Sequence, residues 1–474
     1  MAAAPTPLSP DAIDQLRRTI TAEVIGPQDP AYDEARRLWN AIHDLRPAVI
    51  ARPQTAQEVA TAIAFGRDHD LEIAVRSGGH SPAGHSGVDG GLVIDMSAMR
   101  DVAVDPVART ARTGGGALLG QLDVEAQAHG LVCPVGVVGH TGVAGLTLGG
   151  GVGRLQRNFG LTLDNVRAVE LVTADGHVVR ASETEEPELF WGMRGAGWNF
   201  GIVTGFELGL HPFGPELNRG ILIYPGSDVR GAWQTFRDYA LVAPDTVSLI
   251  FGIDRAGPTV NIPEELKGRP IAYISYNHSG AGETVERDIA PLRAGPTPAS
   301  ETTGPANYLE VQTAHDLVFA GGQRSFLLGA NADGLRLEAL DELVELIGDA
   351  EGSFSATAMG GAIGRVAEDA TAFAGRAAAF DLSVDATWDD PSRDEANRDW
   401  VRGAMAVLEP DTTLGRYANE TADVGPDQTR LIYGDAKLSR LADLKRTWDP
   451  DNVFHLNHNV SPAAKQRSVD AIDG

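Results

Sequence analysis

A single cysteine, Cys133, stands among 474 residues. No disulfide can form within the chain, and nothing in it signals an oxidising compartment. Basic residues are also scarce: 39 Lys and Arg face 65 Asp and Glu, a formal charge of −26 at pH 7. Nucleic acid and anionic membrane surfaces are bound through clustered positive charge, so neither is expected as a partner. No apolar run approaches the ~20 residues that a membrane-crossing helix needs. Residues 1–10 lack the basic stretch and apolar core of an export signal, so a cytoplasmic enzyme is expected. Repeats and low-complexity runs are missing too. The remaining composition, 43% hydrophobic and 22% charged, is that of an ordinary globular protein long enough for two domains. Neither length nor charge bears on oligomeric state.

What the chain does contain is glycine, 55 of them, and three turns are especially dense in it. The first is Arg76-Ser77-Gly78-Gly79-His80. Leu71, Ile73 and Val75 alternate before it as a strand, and Leu92-Val93-Ile94 reads as the next strand after a turn-rich stretch. Paired glycines let a backbone turn tightly and lie against a ligand, because no Cβ holds it away. Arg76 and Ser77 offer donors suited to a phosphate, and the turn amides can form an anion nest. His80, at the end of the turn, is either a cofactor-contacting group or an ordinary loop histidine.

Upstream, Ile13, Leu16, Ile20 and Val24 share one face of a predicted helix over 11–24. A short strand ends at Pro53, and Thr55 caps a helix through His69, with Glu58 completing a capping box. Strand, helix and strand before the turn make an α/β beginning. Residues 103–113 read as one strand, and a helix over 118–129 is closed by Gly130. The second glycine-dense stretch covers 138–153. Each glycine costs a helix about 1 kcal/mol against alanine, so a packed loop is expected, either wrapping a large ligand or serving as a structural turn cluster. It has no Gly-Lys-Ser/Thr ending and no GxGxxG between strand and helix. Residues 165–173 and 178–180 form a predicted hairpin around Asp175-Gly176, a type I′ pair. A short helix over 188–193 leads into the third turn, 194–201, and a strand over 202–210.

From about residue 211 to 415 the glycine clusters thin out. Strands are predicted at 220–224, 246–252, 270–276 and 377–388, with helices at 283–292 and 335–347, an antiparallel sheet covered by helices. Ser353, Ser355 and Thr357 alternate along a further strand. Near the C-terminus, residues 416–420 read as a polar strand or loop and 435–447 as a helix. Asn457 and Asn459 then fall on one face of an extended segment. Amide side chains donate and accept, which suits a heterocycle edge, although Asn-rich ends are also ordinary turns.

Taken in this order, Arg76-Ser77-Gly78-Gly79-His80, Gly145-Leu146-Thr147-Leu148-Gly149-Gly150-Gly151, Arg194-Gly195-Ala196-Gly197 with Asn199 to Thr204, and Asn457-His458-Asn459 resemble the berberine bridge enzyme-like family of FAD-linked oxidases, within the vanillyl-alcohol oxidase flavin fold. The resemblance spans nearly the whole chain and is nearest to bacterial members. It implies an α+β architecture: a PCMH-type FAD-binding domain of two α/β subdomains over 1–212, a substrate domain over 213–414, and a berberine-bridge-type segment over 415–474 that returns to the first domain. It implies FAD bound covalently through His80 to the 8α-methyl of the isoalloxazine. Arg76, Ser77, Gly78, Gly79, Ser81, His140, Thr141, Gly142, Gly145, Gly149, Gly150, Gly151, Gly153, Asn199, Gly201, Ile202, Val203, Asn419, Asn457 and Asn459 complete the implied cradle. No metal site is implied.

Many members carry a second link through a cysteine. Aligned back from Gly149, that position falls on Val138, five residues beyond Cys133, so a single link is expected and Cys133 is a buried thiol. Val143 stands where members control oxygen access, and its modest side chain resembles that of oxidases. The family's Tyr-x-Asn-Tyr run here reads Tyr417-Ala418-Asn419-Glu420. Glu420 is therefore a candidate base, a binder of cationic amines, or a strand-edge charge. Tyr417 is a second candidate, with His140 and His458 behind it. The implied reaction takes hydride from a C–H beside a hydroxyl or amine of a small molecule and gives electrons to O2 as H2O2. A dehydrogenase using a quinone or carrier, and a catalytically silent flavin-binding protein, are the alternatives.

Overall fold

The computed structural model describes residues 8–257, 262–280, 282–348, 351–413 and 415–462; part of the stretch read for an export signal, residues 1–7, lies outside them. Three large sheets organise the chain. The first has the order Glu23–Ile25, Val49–Arg52, Leu92–Asp95, Ile73–Arg76. Its last three strands are parallel, and the first pairs antiparallel at the edge. Helix Ala56–Asp68 covers it, capped by the Thr55 side chain as expected. The Glu58 carboxylate does not return to Thr55. It accepts instead from the amides of Thr21, Ala22 and Gln54. That contact explains a correction: the first helix ends at Thr19, not Val24, because Glu58 draws residues 21–22 into the turn that starts the edge strand.

The second sheet has the order Val102–Asp105, Thr110–Gly114, Ile202–Gly209, Val166–Val172, Val178–Ser182, antiparallel throughout. Residues 103–113 are thus a hairpin and not one strand; the Asp105 carboxylate gathers the amides of Val107 and Ala108 into the turn. In the hairpin at 175–176 only Gly176 has a positive φ, so the turn is not type I′. The stretch 138–153 also departs from expectation, since Val143–Gly149 is a helix. Val143, Ala144 and Leu148 are buried in the second core, and that burial outweighs the glycine penalty over two turns.

The third sheet is antiparallel with eight strands: Ser300–Asn307, Glu216–Pro225, Pro270–His278, Val247–Arg255, Gly352–Ala358, Phe380–Trp388, Arg324–Ala332, Thr412–Thr413. Helices Val229–Ala240, Leu337–Ile347 and Asp394–Leu408 pack on one face through Trp233, Phe236, Phe251, Phe354 and Phe380. Ser353, Ser355 and Thr357 alternate with buried Phe354 and Ala356, so their side chains leave by the opposite face. Residues 416–420 contain a short 3-10 turn, Ala418–Glu420, and the last helix runs Pro426–Trp448 with a break at Gly434. Asn457 and Asn459 lie in irregular chain, not in a strand. Among the described residues no helix is long and apolar enough to cross a membrane.

Two arginines tie the glycine-rich part to the large sheet. Arg157 donates to the carbonyls of Ala243 and Met359. Arg376, 2% exposed, donates to Asp164 Oδ1 at 2.6 Å and Oδ2 at 3.1 Å. Removing one member of such a buried pair strands the other charge and costs about 3–5 kcal/mol. Asp164→Ala should therefore lower the urea midpoint by that equivalent, while an Asp164→Leu/Arg376→Met double variant should recover most of the loss.

Candidate active site

The first and second glycine turns touch backbone to backbone. A Cβ at Gly78 would land on the Gly142 amide, with Gly142 Cα at 2.9 Å and the His140 carbonyl at 3.0 Å. A Cβ at Gly142 would press on Ser77, so both glycines are required by the approach itself. This contact brings together two histidines sixty positions apart. His80 Nε2 lies 2.7 Å from His140 Nδ1, and His140 Nε2 lies 3.3 Å from the Asp316 carbonyl. A carbonyl only accepts, so His140 Nε2 carries a proton and its Nδ1 accepts from His80 Nε2–H. His80 Nδ1 is left as the free lone pair. Burial, then His140, pushes the His80 pKa down to about 3, which keeps that lone pair unprotonated near neutral pH. Trp39 stacks on His80 at 4.9 Å, held by its indole N–H on the Phe319 carbonyl. A cavity of about 920 Å³ opens against this group.

The other residues of the cradle divide by what their side chains do. Ser77 Oγ, Asn457 Oδ1 and Asn459 Oδ1 are buried without partners. Buried polar atoms are usually paired, so these three remain available to a polar ligand. Arg76 is spent elsewhere: its guanidinium donates to Asp95 Oδ2 at 2.7 Å and to the Arg37 carbonyl, which corrects its reading as a phosphate donor. Ser81 Oγ accepts the His85 amide. Asn199 is fully buried, with Oδ1 accepting the Val460 amide and Nδ2 donating to Ala196, so it clamps the C-terminal segment to the third turn. Gly201 precedes the strand behind it, which Ile202 and Val203 begin, and Ile202 and Val203 are buried there. Thr141 holds the loop through its backbone, accepting from Leu119. Gly145 faces open space. Gly149 lies against Trp198 and Asn419, and Gly153 against the Val135 carbonyl.

Tyr417 is not placed as a base. Its oxygen accepts from the amides of Gly151 at 3.0 Å and Val152 at 3.2 Å and from Asn419 Nδ2 at 2.9 Å. Burial, then the Glu420 charge, pushes its pKa far up. The phenol braces the positive-φ pair Gly150-Gly151, and Asn419 ties it to the Leu146 carbonyl. Glu420 is different. Burial, then Asp385, raises its pKa to about 7, and no side-chain bond to it is formed among the described residues. Cys133 is 1% exposed, and its thiol is pushed up by burial and by Asp123, so it is an inert core group.

Several residues of the candidate site carry little or no sequence signal. Trp39 and Asp316 carry no local motif and are brought in by tertiary contact alone. Asp381 and Asp385 had a signal: in Phe380–Trp388 every second residue is polar, so both face away from the helices.

A family model described as "FAD binding domain" matches residues 47–182, and one described as "Berberine and berberine like" matches residues 416–461. The (R)-6-hydroxynicotine oxidase of Paenarthrobacter nicotinovorans is 30% identical, over 94% of this chain and 97% of that protein. A crystal structure of 6-hydroxy-D-nicotine oxidase from Arthrobacter nicotinovorans superposes with a TM-score of 0.82 at 29% identity, covering 98% of this chain and 100% of that one. Glucooligosaccharide oxidase of Acremonium strictum, described with 6-S-cysteinyl, 8α-N1-histidyl FAD, shares the fold with a TM-score of 0.84 at 23% identity, over 96% and 100% of the chains.

The residues present fit FAD: the Gly78–Gly142 crossing beside His80 is a cradle that a Cβ would fill, and Ser77, Asn457 and Asn459 each keep a buried polar atom without a protein partner. Gly78→Ala should open the contact with Gly142, and the purified variant should carry less than about a tenth of the parent's flavin absorbance while its far-ultraviolet circular dichroism is kept.

Proposed function

The chain belongs to the berberine bridge enzyme-like family of FAD-linked oxidoreductases, and from that premise we propose that it is an oxidase taking hydride from a carbon that bears a hydroxyl or amine, with O2 as final acceptor and H2O2 as product. Bound FAD supplies the two-electron acceptor for that hydride. Ser77, the amides of the 78–81 turn, and the amide oxygens of Asn457 and Asn459 would hold it. His80 Nδ1, kept unprotonated and aimed by His140, is the atom that would carry the 8α link. A second link through Cys133 is not part of this proposal, because that thiol is enclosed in the core.

The observation that carries the reaction is Glu420. A base must be ionised yet able to take a proton near the working pH, and a carboxyl raised to about 7 meets both demands. Glu420 removes the proton from the substrate hydroxyl or amine as hydride leaves the adjacent carbon. Tyr417 and Asn419 hold the loop that presents it. Buried Val143 begins the helix beside the cradle, and its modest side chain supports access by O2.

A raised carboxyl pKa means that the base form is present above about 7 and lost below it. In aerated buffer the substrate should be oxidised with one H2O2 per turnover, and kcat/KM should fall about tenfold per pH unit below that point. Glu420→Gln should lower kcat by roughly 10²–10⁴-fold and remove the acidic limb. Reduced enzyme that fails to reoxidise in air within seconds would point to a carrier-linked dehydrogenase instead.

A further inference from the structure

Among the described residues the Asp381 side chain makes no hydrogen bond at Oδ1. That oxygen is buried, the residue is only 3% exposed, and it projects from the sheet face that the helices leave uncovered. Asp385 leaves by the same face, where Ser353 Oγ donates to it at 2.8 Å. Register places Asp381 between Asn331 and Thr357, and Asp385 between Leu327 and Ser353. Ser383, midway between the two, stands opposite Gly329. The turn carrying Glu420 rests on that glycine: a Cβ there would lie 3.0 Å from the Glu420 carbonyl and 3.2 Å from its Cβ. A bridge from Leu328 to Thr421 fixes this seat. Three carboxyls therefore share one row, with Glu420 over the middle.

The ionisable groups acting on the row are acids and phenols: Asp254 and Tyr273 from strands Val247–Arg255 and Pro270–His278 of the same sheet, and Tyr417 from the Glu420 loop. Among the described residues no arginine, lysine or histidine pairs with it. Burial and Glu420 hold Asp381 well above the usual carboxylate range, and burial brings Asp385 to about 6. Buried carboxyls without a cation respond in this way, and a cation entering the row relieves the cost. The unpaired Asp381 oxygen is a ready acceptor for it.

We propose that Asp381 and Asp385 form a binding site for the ammonium group of an organic amine, so that the substrate is an amine and not a sugar or neutral alcohol. The assignment rests on Glu420 being the base of the reaction proposed above. A neutral sugar brings no charge to offset three acids. An ammonium does, and it places its own acidic proton beside Glu420. Binding must also tighten with pH as the row ionises, until the amine itself loses its charge.

Calorimetry with the yellow holoenzyme tests this, using benzyltrimethylammonium as a probe whose charge is the same at every pH. Its Kd should tighten at least about fivefold from pH 5 to pH 8, while benzyl alcohol and cellobiose bind more weakly and without that trend. Asp381→Asn and Asp385→Asn should each weaken the cation tenfold or more with the flavin absorbance and unfolding midpoint retained. Equal binding of benzyl alcohol, or unchanged cation affinity in both variants, overturns the assignment. Visible absorbance of the same sample separates the two levels: yellow protein with no cation preference removes this inference alone, whereas colourless protein removes the flavin reading beneath it as well.

Discussion

The contact of Gly78 with Gly142 is the constraint on which the site depends. Two loops, one following a parallel sheet and the other entering a helix, approach until no side chain fits between them. That approach sets His80 against His140 and, through the Asp316 carbonyl, selects which imidazole nitrogen keeps a lone pair. The same crossing encloses Ser77. A methyl group at either glycine is therefore felt at the histidine pair and not only in the loops.

The large sheet makes the second half of the site by an equally simple rule. Alternation puts Phe380, Leu382 and Val384 under the helices and leaves Asp381, Ser383 and Asp385 on the other face. The turn Ala418–Glu420 closes over that face, seated on Gly329. Tyr417 and Asn419 belong to the brace of this turn, bonded to Gly151, Val152 and Leu146. Support and the proposed chemistry are divided between residues three positions apart: the Tyr417 phenol accepts hydrogen bonds, and Glu420 is the proposed base.

Much of this was legible in the residue order. Paired glycines after an alternating strand marked the first turn, and the capped helix at Thr55 needed only local rules. The reading failed where distant residues decide local structure. Glu58 redirects the chain at Thr21, and core burial of Val143 and Leu148 makes a helix from a glycine-rich stretch. Arg76 looked like a phosphate donor because its partner, Asp95, lies on a neighbouring strand that composition cannot pair with it. Strand Ser300–Asn307 has no apolar alternation to reveal it, and Arg324–Ala332 carries a nearly continuous apolar run that periodicity does not separate from a helix. Trp39 reaches His80 only through the fold.

The most direct measurement is mass spectrometry of the acid-denatured, trypsin-digested protein. Cleavage after Arg76 and Arg100 isolates His80 on a peptide separate from Cys133. This peptide should carry the mass of FAD, with fragmentation placing it on His80 and not on His85, and the Cys133 peptide should be unmodified. Flavin released entirely into the acid supernatant, or found on Cys133, would contradict attachment through His80 alone.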